Sequence, residues 1–177
     1  TLTYSKRRIL YGMNLAKKSK RSNIILCEGN LDVVTLHQAG FDNAVASMGT
    51  ALTQEQLRLL SRYTKELVLC YDNDNAGQQA TRRALELLNN SEFSVKVLQL
   101  PRRLVDGEYI KQDADDFIKF QGPAAFERLL TGSENGVEFR LDQIAGKYDL
   151  TDDTQRIAYA QEVSEELAKL ENAVERE

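Results

Sequence analysis

Four short apolar runs alternate along the chain with segments of helical periodicity. Each run ends in turn residues or at a proline, as buried parallel strands do. They lie at residues 24–27, 44–46, 67–71 and 95–100. Because strands and helices alternate with short links, the pattern predicts an α/β fold with a parallel sheet of about four strands flanked by helices.

Apolar residues recur at helical spacing before, between and after these runs. The predicted helices lie at residues 5–20, 31–38, 53–60, 75–88, 116–120, 123–130, 137–145 and 152–170. Thr53, with Gln56 three residues later, forms a capping box at the start of one of them. Residues 102–112 are predicted to form a surface loop.

The chain divides into three predicted regions. Residues 1–22 form a basic helical lead-in from a preceding subdomain, residues 23–131 form the α/β domain, and residues 132–177 form a small helical subdomain. The second boundary rests on the change of composition at Thr131-Gly132-Ser133. The start at Thr1 and the charged end of the chain indicate a fragment of something longer.

Acidic residues directly follow two of the predicted strands. Glu28-Gly29 ends the first strand, and Asp72-Asn73-Asp74 ends the third. The carboxyl ends of parallel strands meet at one edge of a sheet, where ligands bind in open α/β folds. Carboxylates gathered there repel one another unless a cation shares the site. The pattern therefore predicts a Mg²⁺-dependent site for phosphoryl chemistry.

Asp72 and Asp74 also have a structural interpretation. Two residues apart at the end of an extended strand, they would point to the same side, and the following helix would offer its N–H groups to a phosphate. The same two residues also suit a turn and an ordinary helix N-cap. Both interpretations stay open on the sequence pattern alone.

Further acidic residues lie near the same predicted edge. Asp32 comes one helical turn after Glu28 and would face it. Asp113 and Asp115 follow the fourth strand and its loop. They fit either the same site or the first turn of a helix, where aspartate is favoured.

The net charge of −4 is unevenly distributed. Residues 1–21 carry seven Lys and Arg and no acid, whereas residues 134–177 carry twelve acids against five bases. A mildly acidic chain is not typical of a free-standing nucleic-acid binder. The basic segment is the one place where charge alone predicts phosphate contact, and a solvated helix face is the alternative.

Cys27 and Cys70 both fall inside predicted strands, which indicates buried free thiols in a reducing, cytoplasmic environment. No CxxC pair is present, so the sequence predicts no zinc site. The single histidine, His37, has no paired nucleophile, which disfavours Ser-His or Cys-His hydrolase chemistry. No apolar run approaches the roughly 20 residues that a membrane span needs, and no membrane partner is expected.

The ordered set of motifs resembles the Toprim domain of bacterial DNA primases. The main matches are EGNLDV at 28–33, AVASMGTA at 44–51 and YDNDNAG at 71–77, with further matches at 6–12, 98–101 and 113–118. The resemblance covers about residues 4–130. Residues 135–177 resemble the opening helices of the bundle that follows Toprim in primases.

The resemblance implies a Toprim-type fold and a nucleotidyltransferase that makes short RNA primers from ribonucleoside triphosphates. It implies Mg²⁺ or Mn²⁺ as the cofactor and places Lys6 at a nucleotide phosphate. The implied catalytic and metal-binding residues are Glu28, Asp72 and Asp74. The implied secondary metal-binding positions are Asp32, Asp113 and Asp115.

The same resemblance implies a single-stranded DNA template, an RNA primer and a replicative helicase as partners. The helicase is expected to bind a C-terminal domain outside this chain, and zinc is expected only in an N-terminal module outside it. Without those parts and the basic subdomain that precedes Toprim in primases, the chain alone is expected to prime DNA poorly or not at all.

The chain departs from the family pattern at four positions near the acidic motifs. It has Asn30-Leu31 where primases usually have Tyr-Met, and Asn73 and Asn75 where they have Gly and Arg. Three alternatives remain: another Toprim nuclease or topoisomerase-like domain, a phosphatase with an aspartate nucleophile, and a non-catalytic interaction module.

Overall fold

A computed structural model of the chain describes residues 5–49, 51–89, 91–105 and 107–174. Thr50, which belongs to one of the matching motifs, lies outside these residues. So do the outer ends of the predicted regions 1–22 and 132–177.

The centre of the fold is a five-stranded sheet. Its strands are β1 (Asn23–Cys27), β2 (Ala44–Ala46), β3 (Glu66–Cys70), β4 (Ser94–Val97) and, after a two-stranded hairpin described below, β7 (Glu134–Asn135). They lie in the order β2-β1-β3-β4-β7. The four longer strands are parallel, as the alternating pattern predicts, and the two-residue β7 is antiparallel to β4. The prediction of an α/β fold with four parallel strands is therefore confirmed.

Eight helices are assigned in the described residues. They are α1 (Met13–Ala16), α2 (Asn30–Gln38), α3 (Gln54–Leu60), α4 (Asn75–Leu88), α5 (Ala114–Gln121), α6 (Pro123–Thr131), α7 (Gly136–Ala145) and α8 (Asp153–Val174). None of them is long and apolar enough to cross a membrane, as judged over the described residues.

The helices cover both faces of the sheet, because successive strand residues point to opposite sides. Ile24 and Leu26 of β1 pack into one apolar layer with α1, α3, α4 and α7. Ile25 and Cys27 pack into the other layer with α2, α5 and α6. Burial on both faces explains why the strands are continuous apolar runs.

Residues 102–112 do not form the predicted irregular loop. Arg103–Val105 (β5) and Glu108–Ile110 (β6) pair as an antiparallel hairpin. Gly107 lies in the turn with φ at 85°, a left-handed conformation that glycine adopts without steric cost. Most of the hairpin side chains are exposed, so the segment has no buried apolar face like those of the predicted strands.

The predicted helix over residues 5–20 is wrong for most of its length, since only Met13–Ala16 are helical. Gly12 has φ at 79°, and a Cβ atom there would lie 2.7 Å from Val33 Cγ1. The backbone of Tyr11 exchanges hydrogen bonds of 2.9 and 3.1 Å with Ala46, at the edge of β2. The lead-in therefore follows the sheet edge before its single helical turn.

The region predicted as a separate helical subdomain contributes to the main sheet and core. Asn135 pairs with Lys96 of β4, and Phe139 of α7 is 2% exposed within the apolar layer beside α4. The boundaries at 22/23 and 131/132 stay predictions.

Candidate functional site

A cleft of about 620 Å³ opens at the carboxyl ends of the parallel strands. We call it the acidic cleft. Carboxylates line it from several elements, together with one basic side chain and two loop residues. Its lining consists of Lys6, Glu28, Gly29, Asn30, Leu31, Asp32, Met48, Gly49, Asp72 and Asp113.

Glu28 and Asp72 reach the acidic cleft from neighbouring strands. Cys27 at the end of β1 is paired with Cys70 at the end of β3, so the residues that follow both strands leave the sheet at the same edge. The Oε2 atom of Glu28 is buried, and no described group forms a hydrogen bond with it. A buried carboxylate oxygen without a partner is costly, which indicates that a ligand completes its environment.

Asp72 is half-buried, and its pKa is raised from 3.8 to about 6. Burial is the largest cause, and the negative charge of Glu28 is the second. Asp32, Asp113 and Asp74 contribute smaller repulsions. These carboxylates therefore act on one another electrostatically, which is the condition that a bound cation would relieve.

Asp32 connects two sides of the site. Its Oδ2 atom accepts a hydrogen bond of 3.1 Å from the backbone N–H of Gly29, and its Oδ1 atom accepts one of 3.2 Å from Asp115. Burial and the nearby Asp113 raise the pKa of Asp32. Asp32 thus lines the acidic cleft and also fixes the start of α5 against the start of α2.

Asp74 does not line the acidic cleft in the described structure, although the sequence grouped it with Asp72. Its Oδ1 atom accepts a 2.7 Å hydrogen bond from the backbone N–H of Gly77 and caps α4. Its Oδ2 atom lies 3.6 Å from Lys111 Nζ. The Gly77 N–H and the Lys111 charge both lower the pKa of Asp74. The strand ends at Cys70, so Asp72 and Asp74 are not alternate residues of one extended segment.

The last acidic motif is divided between the acidic cleft and the helix end. Asp113 lines the cleft and caps α5 by accepting a 2.7 Å hydrogen bond from the N–H of Asp116. Asp115 accepts hydrogen bonds from Lys119 and Thr35, and these bonds, the one from Lys119 above all, lower its pKa. Carboxylate oxygens of Asp113, Asp115 and Asp116 lie within 4.8 Å of one another.

Lys6 is the one basic side chain that lines the acidic cleft in the described part of the chain. It reaches the cleft from the turn that precedes α1, far along the chain from the acidic motifs. A lysine beside several carboxylates suits a ligand that carries both a metal ion and phosphate groups, since the ammonium group would bind the phosphates.

The loop after β2 lines the cleft at positions that reasoning from residue chemistry did not single out. Met48 has φ at 59° and Gly49 has φ at 71°. A left-handed methionine is uncommon, and such strain tends to occur at functional sites. These residues lie within the AVASMGTA motif, so the resemblance was the only sequence signal that pointed to them.

Gly77 permits the close approach of α4 to the site. A Cβ atom at this position would lie 2.0 Å from the carbonyl oxygen of Asp72. The first turn of α4 can therefore lie against the chain that leaves β3 only because this residue has no side chain.

The donor set fits a divalent cation with a preference for oxygen ligands. Glu28 supplies an unpartnered buried oxygen. A bound cation would stabilise the ionised form of Asp72, because it would offset the repulsion from the neighbouring carboxylates. The lining of the acidic cleft contains carboxylates and no Cys or His side chain. Hard ions such as Mg²⁺ and Mn²⁺ favour such oxygen ligands.

Two protein-family models and several DNA primases match this chain in sequence. Residues 25–118 match a family model described as Toprim-like. Residues 137–177 match one described as the DnaB-helicase binding domain of primase. A DNA primase of Clostridium acetobutylicum is 37% identical over 172 residues, which are 97% of this chain and 28% of the relative. A DNA primase of Enterococcus faecalis is 35% identical over 181 residues, with coverage of 100% and 28%. The chain thus spans just over a quarter of these curated relatives.

Solved structures of similar fold include a DNA primase domain from Pseudomonas aeruginosa. It is 30% identical, with a TM-score of 0.77 over 96% of this chain and 52% of that chain. The RNA polymerase domain of Mycobacterium tuberculosis primase DnaG, solved with double-stranded DNA, is 28% identical. Its TM-score is 0.78 over 96% of this chain and 53% of that chain.

Proposed function

Since this chain belongs to the Toprim-like family, we propose that it supplies the metal-binding part of a DNA primase. The enzyme would be a nucleotidyltransferase that makes short RNA primers on single-stranded DNA from ribonucleoside triphosphates. The observation that carries the proposal is the buried, unpartnered oxygen of Glu28 in the same cleft as Asp72. Similarity to DNA primases along nearly the whole chain supports the choice of reaction.

Glu28 and Asp72 are the proposed principal ligands of Mg²⁺ or Mn²⁺. Asp32 and Asp113 line the same cleft and would support them. When bound, the metal would lower the charge of the triphosphate and stabilise the departing pyrophosphate. Glu28 and Asp72 would hold that ion, and Lys6 would neutralise and orient phosphate oxygens.

Asp74 and Asp115 are proposed to act from outside the lining of the acidic cleft. Asp74 lies close enough to Asp72 to raise the pKa of that carboxyl, but it is held as a helix cap. Asp115 is held by Thr35 and Lys119. Their contribution to metal binding would therefore be smaller than that of Glu28 or Asp72, unless they leave these partners.

A replicative helicase is the proposed protein partner. The resemblance to primases implied a helicase-binding site in a domain outside this chain. The match of residues 137–177 to a helicase-binding model instead favours a contribution from α7 and α8. We also propose that the chain acts in the cytoplasm, which is compatible with the free, buried thiols of Cys27 and Cys70.

Metal titration of this chain tests the first part of the proposal. We expect Mn²⁺ to bind, and we expect Glu28→Gln and Asp72→Asn each to weaken binding about tenfold or more. Glu127→Gln is the control, because Glu127 of α6 contacts Arg21 and does not line the acidic cleft. Equal Mn²⁺ affinity in all four proteins would exclude the metal site.

Replacing the matching segment of the Enterococcus faecalis primase with this chain tests the reaction. We expect the chimera to synthesise RNA primers on single-stranded DNA and the Asp72→Asn chimera to have lost this activity. Cleavage of DNA in place of primer synthesis would favour the nuclease or topoisomerase-like alternative. For the chain alone, we propose little or no primer synthesis, which the same assay measures.

A further inference from the structure

Lys6 belongs to a turn at residues 6–9, which we call the basic turn. A buried glutamine of helix α3 holds this turn by hydrogen bonds. Gln56 of α3 is fully buried. Its Nε2 group donates hydrogen bonds to the carbonyl oxygens of Lys6, at 2.9 Å, and Ile9, at 3.0 Å. Its Oε1 atom accepts a bond of 3.1 Å from the backbone N–H of Thr53. The amide group of Gln56 thus uses both its donor and its acceptor atoms.

Thr53, the N-cap of α3, adds a further bond to the same turn. Its hydroxyl donates to the carbonyl oxygen of Arg7 at 2.6 Å and accepts from the backbone N–H of Gln56 at 3.2 Å. Residues 6–9 are therefore held through three carbonyl groups by two side chains. We call Thr53 and Gln56 the α3 clamp.

The bonds from the α3 clamp to the basic turn exceed what a helix cap requires. A capping box needs only the reciprocal bonds between Thr53 and Gln56. The two bonds from Gln56 Nε2 lead away from the helix, to a segment that is neither helix nor strand. That segment presents the exposed Lys6 side chain to the acidic cleft.

We propose that Gln56, supported by Thr53, is a positioning residue for Lys6. This inference rests on the proposed function, because it assigns the clamp to the lysine that would contact the triphosphate. Fixing the Lys6 backbone leaves only side-chain freedom to be lost when phosphate binds, so the held turn binds more tightly than a free one. Gln56 would act on affinity without touching the substrate.

Binding of inorganic tripolyphosphate in saturating Mn²⁺ tests the inference in this chain. Lys6→Ala is expected to weaken tripolyphosphate binding about fivefold or more, the loss of one charge-assisted contact. Gln56→Met, which keeps the size and removes the hydrogen bonds, is expected to give a similar loss. Because both changes remove the same contact, the double variant should bind no more weakly than Lys6→Ala.

Two further variants separate positioning from folding. Asn43→Leu removes another fully buried amide, which bonds to Asn23 at the amino ends of β1 and β2, away from the acidic cleft. We expect it to lower stability without changing tripolyphosphate binding. Thr53→Val removes the bond to Arg7 and should weaken binding in the same direction as Gln56→Met, so it carries the test if Gln56→Met does not fold.

The outcomes distinguish the positioning role of Gln56 from the phosphate-binding role of Lys6 on which it rests. If Lys6→Ala weakens binding while Gln56→Met and Thr53→Val bind as the unchanged chain does, the positioning role is wrong and the phosphate role of Lys6 stands. Unchanged binding in Lys6→Ala overturns the phosphate role of Lys6 and, with it, the positioning role of Gln56, whereas the metal site is tested separately by the Mn²⁺ titration. Losses from Gln56→Met and Lys6→Ala that add up fully would also overturn the positioning role.

Discussion

Glu28 opposes the ionisation of Asp72 across the acidic cleft. The two carboxylates leave neighbouring strands at one edge of the sheet, and burial together with the Glu28 charge raises the pKa of Asp72 to about 6. A site arranged in this way favours a cation at the expense of the stability of the metal-free protein.

Asp72→Asn is therefore expected to stabilise the metal-free chain near neutral pH. A carboxyl group with a folded pKa above its unfolded value stabilises the fold only while protonated. The contribution of Asp72 to the free energy of unfolding is thus fully present below about pH 4, and it is lost as the pH rises towards about 6. After allowance for solvent screening, we expect a gain of about 1 kcal/mol at pH 7.5 and little gain at pH 4.

Urea unfolding in the presence of a chelator measures this difference. The comparison of Asp72→Asn with the unchanged chain at the two pH values cancels the titration of other groups. A variant that is less stable at pH 7.5 than the unchanged chain would contradict the electrostatic argument. In saturating Mn²⁺ the unchanged chain should be more stable than Asp72→Asn, because it binds the metal more tightly and its folded state is stabilised more.

Asp74 offers a separate test of its two interpretations. Asp74→Ala removes the cap of α4 and should cost about 1 kcal/mol of unfolding free energy, whereas Asp74→Asn keeps a good N-cap residue and should cost much less. Because Asp74 lies off the acidic cleft, Asp74→Asn should weaken Mn²⁺ binding less than Asp72→Asn does. Calorimetric titration compares the two, and an equal loss would place Asp74 among the principal ligands.

Gly77→Ala is expected to be severely destabilising. The new Cβ atom would meet the Asp72 carbonyl oxygen at 2.0 Å, and the obstacle is backbone that cannot rotate away. We expect a loss of at least about 3 kcal/mol in chemical denaturation. Gly146→Ala is the matched control, since its nearest atom would lie at 3.5 Å and its φ is −64°. It should stay within about 0.5 kcal/mol of the unchanged chain, and similar losses in both would reject the steric explanation.

Arg21 and Glu127 should show measurable coupling. Arg21 donates two parallel hydrogen bonds to Glu127, of 3.1 and 2.8 Å, and lies over the Phe41 ring at 4.8 Å. A double-mutant cycle with Arg21→Ala and Glu127→Ala should give a coupling energy of about 0.5–1 kcal/mol, and this energy should fall with added salt. This pair would join the end of the basic lead-in to α6.

The more exposed pair of Lys65 and Glu92 is the control for that cycle. Its side chains are 63% and 79% exposed, against 32% and 48% for Arg21 and Glu127. Solvent screening and side-chain entropy should reduce its coupling to about zero. Equal coupling in both cycles would show that burial and paired geometry do not decide the strength of these contacts.

Much of the fold could be predicted because the strands are buried on both faces. The run around Leu26 and the run around Leu69 are apolar without alternation, which indicates parallel strands between helices. The Thr53 and Gln56 capping box was also recognisable, because its residues act locally. Its bonds to residues 6–9 were not, since they join distant parts of the chain.

The acidic cleft was predicted in part for a similar reason. Strand ends placed Glu28 and Asp72 at one edge, and the structure brings them into one cleft. The direction of Asp74 depended on where β3 stops and how the chain turns into α4, which spacing alone does not determine. The lead-in was mistaken for a long helix because Leu10, Met13 and Ala16 all enter the apolar layer beside β2 and α3 at intervals that resemble a helical stripe, although only Met13–Ala16 are helical.

The backbone pairing of Tyr11 with Ala46 has a consequence for self-association. It occupies part of the outer side of β2, while the opposite side of the sheet ends in the two-residue β7. In the described part of the chain, neither border presents a long row of unpaired peptide groups onto which a foreign strand could add. The five-stranded sheet is therefore shielded at both borders from the addition of a foreign strand, and Gly12 makes the shield at β2 possible by letting the chain reach that border.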